Sequence, residues 1–195
     1  MSRYYFLVAS LPTLQYDQAP PFGHERLRWL CEGQLSAPDL DAFDRARLDV
    51  SQGDAGTRLA VLRWRRWEIS LRNALARARA AARGTDAVRY VRPIPSLPYE
   101  NSGADTVETE GVARSAVAAP NPMAAQDILD RARWALLDDL ERGHPFTLDV
   151  VIARSLKLQL LERRGLAVAE RGQEVLERIR GAAAQKIRAG EALNG

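Results

Sequence analysis

The chain reads as all-α: a bundle of about six to seven helices with a short N-terminal extended segment, arranged as two repeat-like lobes or as one continuous domain. Three observations predict this. Only 7% of the 195 residues are aromatic, and alanine and leucine abound, which favours helix over sheet. Apolar residues recur at i, i+3, i+4 and i+7 along long stretches. Start and stop residues bracket those stretches, with Asn121-Pro122 ahead of one and Gly84 behind another.

Taken in order, Tyr4-Tyr5-Phe6-Leu7-Val8-Ala9 is aromatic and branched, and Leu11-Pro12 stops it. It reads as a short strand, or as an extended arm lying in a helical groove. Pro20-Pro21 breaks the chain before a short helix over 24–32. Ser36 can cap the next helix, Pro38 suits its first turn, and it runs to about Val50. Gly53-Asp54-Ala55-Gly56 is a turn. Thr57 can cap a long helix reaching about Arg83, where Gly84 ends it. At 100° per residue, Ala60, Trp64, Trp67, Leu71, Ala74, Leu75 and Ala78 share one face. Leu62 and Ile69 lie opposite, so the first half of this helix is expected to be buried on two sides.

Residues 93–121 are rich in proline, glycine and acids, and read as a connector with at most a short helix near 104–117. It divides an N-terminal lobe, 1–92, from a C-terminal lobe, 122–195. Asn121-Pro122 starts a helix whose apolar face is Ala125, Ile128, Leu129, Ala132, Leu136 and Leu140. Thr147 or Phe146 starts another that reaches Arg164 and stops at Gly165. Its residues Leu148, Val150, Val151, Ile152, Leu156, Leu158, Leu160 and Leu161 leave little polar face, so it should be the centre of its lobe. A last helix is expected over about 167–189, before a frayed tail.

Composition narrows the class. Cys31 is the single cysteine, so neither an internal disulfide nor a CxxC metal cluster can form. A reducing, cytoplasmic setting fits. The N-terminus lacks a charged n-region and a cleavage site, so no signal peptide is expected. No stretch approaches the roughly 18–20 apolar residues that span a bilayer. Net charge is +3, and residues 58–83 alone carry +7, leaving −4 for the rest. The basicity belongs to one helix. Arg58, Arg65, Arg72 and Arg79 recur every seven residues along it as a ridge, the candidate interaction surface. Arginine forms bidentate carboxylate pairs, so acidic groups within the chain or on a partner suit it.

No catalytic set is visible, and a non-enzyme without cofactor or metal is expected. There is no GxxxxGK[ST], GxGxxG or HExxH. His24 and His144 both flank helices and read as structural. Cys31 has no identifiable base and reads as a small buried hydrophobe. Asp39, Asp41, Asp44 and Asp49 resemble a carboxylate site at first glance, but Arg45 and Arg47 interleave. They read as a solvated helix face, as do Asp138 and Asp139. A hydrolase built on Asp41 and Asp44 is the remotest reading. Arg63-Trp64-Arg65-Arg66-Trp67 could bind nucleic acid, phosphates on arginine and bases on tryptophan. Arg58, Arg72, Arg77 and Arg79 would extend that site. Because both tryptophans fall on the core stripe, this stands as the alternative.

Four stretches resemble a bacterial family of unassigned function encoded beside V/A-type ATPase subunits. They are Tyr4 to Pro12; Leu30-Cys31 through Leu35-Ser36 and Asp39; Trp67-Glu68 with Leu71-Arg72-Asn73; and Phe146 with Leu156 to Arg163 and Gly172. The third is similar to the Glu-x-x-Leu-Arg-Asn core of C-subunit-like helical repeats. The family is distantly similar to the C, or d, subunit, which couples the central rotor shaft to the membrane ring. The resemblance implies a cytoplasmic, all-helical adaptor or assembly factor, peripheral to the inner membrane through its protein partners. Those partners are the central-stalk and membrane-ring subunits. It carries over no catalytic residues. The chain is too short for a funnel of three helical repeats.

Overall fold

The computed structural model describes residues 4–50, 56–97, 104–142 and 145–166, and helix is the only regular structure among them. The helices are α1 (Tyr5–Ser10), α2 (His24–Cys31), α3 (Ala37–Arg45), α4 (Leu59–Arg83), α5 (Ala104–Val117), α6 (Pro122–Glu141) and α7, described over 148–166, with a 3₁₀ turn at Val88–Tyr90. The expected all-α bundle is thus observed. The expected turn at 53–56, apart from Gly56, lies outside the described residues, as do His144 and the final helix expected over 167–189.

Helix α7 is the axis. Val150, Val151, Ile152, Ala153, Leu156, Leu158, Leu160 and Leu161 are all buried, and so are Ser155 and Lys157. Each fully buried aliphatic side chain stabilises by about 1.5–3 kcal/mol, so this helix organises what surrounds it. One core cluster joins α1, α2, α3 and the first half of α4 to the end of α6 and to α7. Residues from both sides of the 93–121 segment therefore share a core. A second cluster sets Trp67, Leu71, Ala74 and Leu75 of α4 against Ala113 and Ala116 of α5 and Leu129 of α6. The segment read as a connector thus carries α5 where a short helix was expected, packed on both α4 and α6.

The N-terminal segment corrects the expectation of a strand or extended arm. It is helical, and burial explains why. Tyr4, Leu7, Val8 and Leu11 are buried while Tyr5, Phe6, Ala9 and Ser10 are exposed, which is the i, i+3, i+4, i+7 pattern. An extended backbone would send neighbouring Leu7 and Val8 to opposite faces. The end of α1 is held by α7: the Arg154 guanidinium donates to the carbonyls of Val8 and Leu11 at 3.1 and 3.2 Å. Val8 O also takes a 3.3 Å bond from Leu11 N, and a cation at this helix end suits the spare carbonyl lone pairs and the helix dipole.

Four helix ends also differ from expectation. Helix α3 stops at Arg45, five residues before Val50. The backbone after it is claimed by other elements. Gln159 donates to Ala46 O at 2.8 Å and accepts from Leu48 N at 3.2 Å. Trp64 Nε1 donates to Arg47 O at 2.9 Å, and Arg72 to Leu48 O at 3.1 Å. With its polar groups satisfied from α4 and α7, this stretch gains nothing from staying helical. Neither Ser36 nor Thr57 caps: Ser36 Oγ donates instead to Asp39, and α4 begins after Arg58 with no side-chain cap. Gly165 does not stop α7, which is still helical at 166. The positive-φ glycines among the described residues are Gly33, Gly56 and Gly84, and an interior helical glycine costs only about 1 kcal/mol. The expected stop that holds is Gly84, left-handed at φ 64°, and the expected start that holds is Asn121, whose side chain accepts from Ala124 N at 2.9 Å.

Candidate interaction surface

Helix α4 carries the arginine ridge, and the fold divides it. Arg58 pairs with buried Asp39, which also accepts hydrogen bonds from Tyr4 and Ser36. Arg65 is half-buried and has a partner of its own. Arg72 donates to Glu68 at 2.8 Å and lies 3.5 Å from Asp49. Arg79 is exposed at the C-terminal end of the helix. Three of the four ridge residues are thus engaged inside the chain, and Arg79 alone of the four faces solvent with no acidic partner among the described residues. The predicted intramolecular partners, the acids of the connector, are not the ones used by Arg58 and Arg72; those come from α3, the stretch after it, and α4 itself.

The densest polar constellation is one that sequence reading missed. Glu68, 1% exposed, accepts two hydrogen bonds from the Arg133 guanidinium, at 2.9 and 3.0 Å, besides the one from Arg72. Asp130, also buried, accepts from Arg133 at 2.8 Å, Arg163 at 2.5 Å and Gln126 at 2.8 Å. Two carboxylates and three guanidinium groups therefore tie α4, α6 and α7 together. Burial opposes the charge on Arg133, but Glu68 and Asp130 outweigh it and its pKa lies above the ordinary arginine value. At Arg163 burial wins, and the pKa is lowered despite Asp130. The apolar face expected on α6 omitted Asp130, Arg133 and Leu137, all buried. Their i, i+3, i+7 spacing was the available signal, masked because two of the three are charged. Asn73, of the same motif as Glu68, donates to Arg92 O and accepts from Arg92 N, both at 2.8 Å. It fastens the chain after α4 back onto that helix.

The remaining candidates are scaffold. Asp41 pairs with Arg45, Asp44 with Arg28 and Asp49 with Arg72, so these are ion-paired surface groups. Asp39 departs from the solvated face expected of it, because Tyr4, Ser36 and Arg58 close over it. Asp138 pairs with buried Lys157 at 2.7 Å, as does Glu141, while Asp139 pairs with Arg142. Burial above all pushes the Cys31 thiol up to about 12, which leaves it un-ionised and inert. Among the described residues no group of His, Cys, Asp and Glu could hold a metal ion, and no helix is long and apolar enough to cross a membrane.

His24 is buried, stacks on Phe43 with ring centroids 5.4 Å apart, and shares a 2.9 Å hydrogen bond with Ser155 Oγ. Burial first, and Arg47 second, hold its pKa below the ordinary 6.5. The unfolded chain therefore takes up a proton at higher pH than the fold does. Stability from this group is complete above pH 6.5 and is lost as pH falls toward the lower folded value. Urea midpoints at about pH 5.5 and about pH 7.5 should differ more in the wild type than in His24→Gln. Equal pH slopes in the two proteins would show that the ring does not titrate between the states.

Outward-facing apolar groups gather on α1. Tyr5 is half-exposed and Phe6 is 83% exposed, the two rings meeting edge to face at 5.6 Å. Tyr5 also packs on Phe146 at 4.5 Å. Phe146 holds a positive φ of 65°, an unfavourable backbone for a bulky residue. No family model, curated protein or solved structure matches the chain.

Proposed function

We propose that this chain is a non-catalytic subunit or assembly factor of a V/A-type ATPase, docking the central rotor shaft to the membrane ring from the cytoplasmic side. The observation that carries the reading is the two-sided use of α1, the most distinctive of the four resembling segments. One face is buried through Tyr4, Leu7, Val8 and Leu11; the other presents Tyr5 and Phe6 to solvent beside Phe146. An 83%-exposed phenylalanine adds nothing to the core, and aromatic groups of this kind anchor protein interfaces. The Glu68 and Asn73 contacts support the same reading, since they spend the repeat-like motif on holding α4 to α6 and to the chain that follows α4. The nucleic-acid alternative loses its stacking platform, because Trp64 and Trp67 are 1% and 2% exposed.

The test is a tagged pull-down from gently solubilised native membranes, with mass spectrometry of the partners. Shaft and membrane-ring subunits should be recovered with the wild type. Phe6→Ser should recover at least about fivefold less of them while keeping its melting temperature, as expected for an interface anchor. A wild-type preparation free of ATPase subunits would sink the reading.

A further inference from the structure

Along the C-terminal half of the ridge, α4 and the segment that returns past it enclose a cleft of about 730 Å³. Arg72, Arg79 and Arg83 line one wall from α4, and Arg89 and Arg92 line the other from the 3₁₀ turn and the residues after it. Among the described residues Asp86 is the one acid lining the cleft, and its carboxylate accepts from Val88 N at 2.9 Å. Arg72 is occupied by Glu68. The guanidinium groups of Arg79, Arg83, Arg89 and Arg92 have no acidic partner among the described residues. All four side chains are exposed. Tyr90, 71% exposed, also lines the cleft.

Four like charges gathered on one concavity repel one another, and no packing role accounts for them. The walls are held in place independently of any charge. Asn73 clamps the Arg92 backbone in both directions, and the left-handed turn at Gly84 sends the chain back past α4. The guanidinium groups are therefore presented by a fastened backbone. A cleft of this volume suits a small molecule rather than a long polymer, typical ligand pockets holding about 300–1,000 Å³. Planar guanidinium forks on facing walls match the several oxygens of linked phosphates, which accept paired hydrogen bonds from each.

We infer that this cleft binds a compact oligophosphate, either free or as the di- or triphosphate group of a nucleotide. The cleft lies at the far end of α4 from Arg58, and its occupancy does not depend on the ATPase reading. A failed pull-down would leave it standing, and a failed titration would leave the adaptor reading standing.

Calorimetric titrations of the full chain at about 0.15 M salt, where exposed charges more than about 8 Å apart are screened, supply the test. The probes are inorganic tripolyphosphate, ATP without metal, and a hexaglutamate peptide. Tripolyphosphate and ATP should bind, and Arg79→Gln and the double variant Arg83→Gln/Arg89→Gln should each weaken binding by at least about tenfold. Arg77→Gln, outside the cleft, should not. Circular dichroism of each variant separates a lost site from a lost fold, and two independent variants guard against either failing to fold. Tighter binding of ATP, abolished in part by Tyr90→Ala, would identify the nucleotide as the source; equal binding of both would identify the free oligophosphate. No binding of either phosphate compound, equal weakening by Arg77→Gln, or tighter binding of hexaglutamate would overturn the inference.

Discussion

Glu68→Ala should cost about 3–5 kcal/mol of stability, the largest effect expected of any single charged residue here. The reason is Arg133 rather than Glu68 itself. Glu68 takes hydrogen bonds from Arg72 and from Nε and Nη2 along one edge of the Arg133 guanidinium. Once the carboxylate is gone, Arg72 can turn to water, since its side chain is already about a third exposed. Arg133 cannot, with a side chain only 8% exposed. Asp130 would be left to serve Arg133 and Arg163 together. An arginine does not escape by losing its proton, so the desolvated charge remains. Urea unfolding should show a lower midpoint at an unchanged slope. The double variant Glu68→Leu/Arg133→Met should recover most of the loss, because it removes charge and counter-charge together. A loss under about 1 kcal/mol in the single variant would mean that water reaches Arg133, and that the network is not dry.

Trp64→Ala should cost a similar amount, about 3–5 kcal/mol, through the cavity left where the indole fills the junction of α4 with the core around α7. The comparison between the two tryptophans is sharper. Trp64 Nε1 donates to Arg47 O, in the non-helical stretch after α3. Trp67 stacks beside it at 6.4 Å, but its buried Nε1 has no hydrogen-bond partner among the described residues. Replacing each by phenylalanine removes the N–H with less loss of ring. Trp64→Phe leaves the Arg47 carbonyl without this donor and should lose about 0.5–1.5 kcal/mol more than Trp67→Phe does, the net worth of one part-buried hydrogen bond. Thermal unfolding of the pair checks the order. If Trp67→Phe proves the more damaging, the indole of Trp67 has a partner or a packing role that its hydrogen bonding does not reveal.

Much of the fold was legible because long helices advertise themselves. The stripe Ala60, Trp64, Trp67, Leu71, Ala74 and Leu75 is buried as its spacing implies, with Ala78 partly buried; opposite it Ile69 is buried and Leu62 partly buried. The all-round apolar character of 148–161 marked α7 as central for the same reason. Gly84 and Asn121 act locally, through their own backbone or side chain, and so could be read without neighbours. The misreadings fall where the partner lies far along the chain. Six residues of α1 are too few to separate a period of 2 from one of 3.6 by composition, and branched and aromatic side chains favour strand. The interaction surface was only partly legible. A seven-residue arginine repeat can be counted, but which acids meet Arg58 and Arg72 depends on where Asp39 and Asp49 arrive.

By itself the sequence determined the helical class, the long α4, the central α7, and the concentration of positive charge on α4, all of which follow from residues within a few turns of one another. Tertiary structure alone decided that α1 is a helix, that α3 stops at Arg45, and that Asp39, Glu68, Asp130 and Arg133 are interior rather than solvated. For α1 the reason is the apolar face that the core buries; for the charged groups it is the supply of partners. A charged or polar group has no inherent place inside or outside; it is buried when distant chain supplies its hydrogen bonds and counter-charge, as Arg133 does for Glu68 across 65 residues.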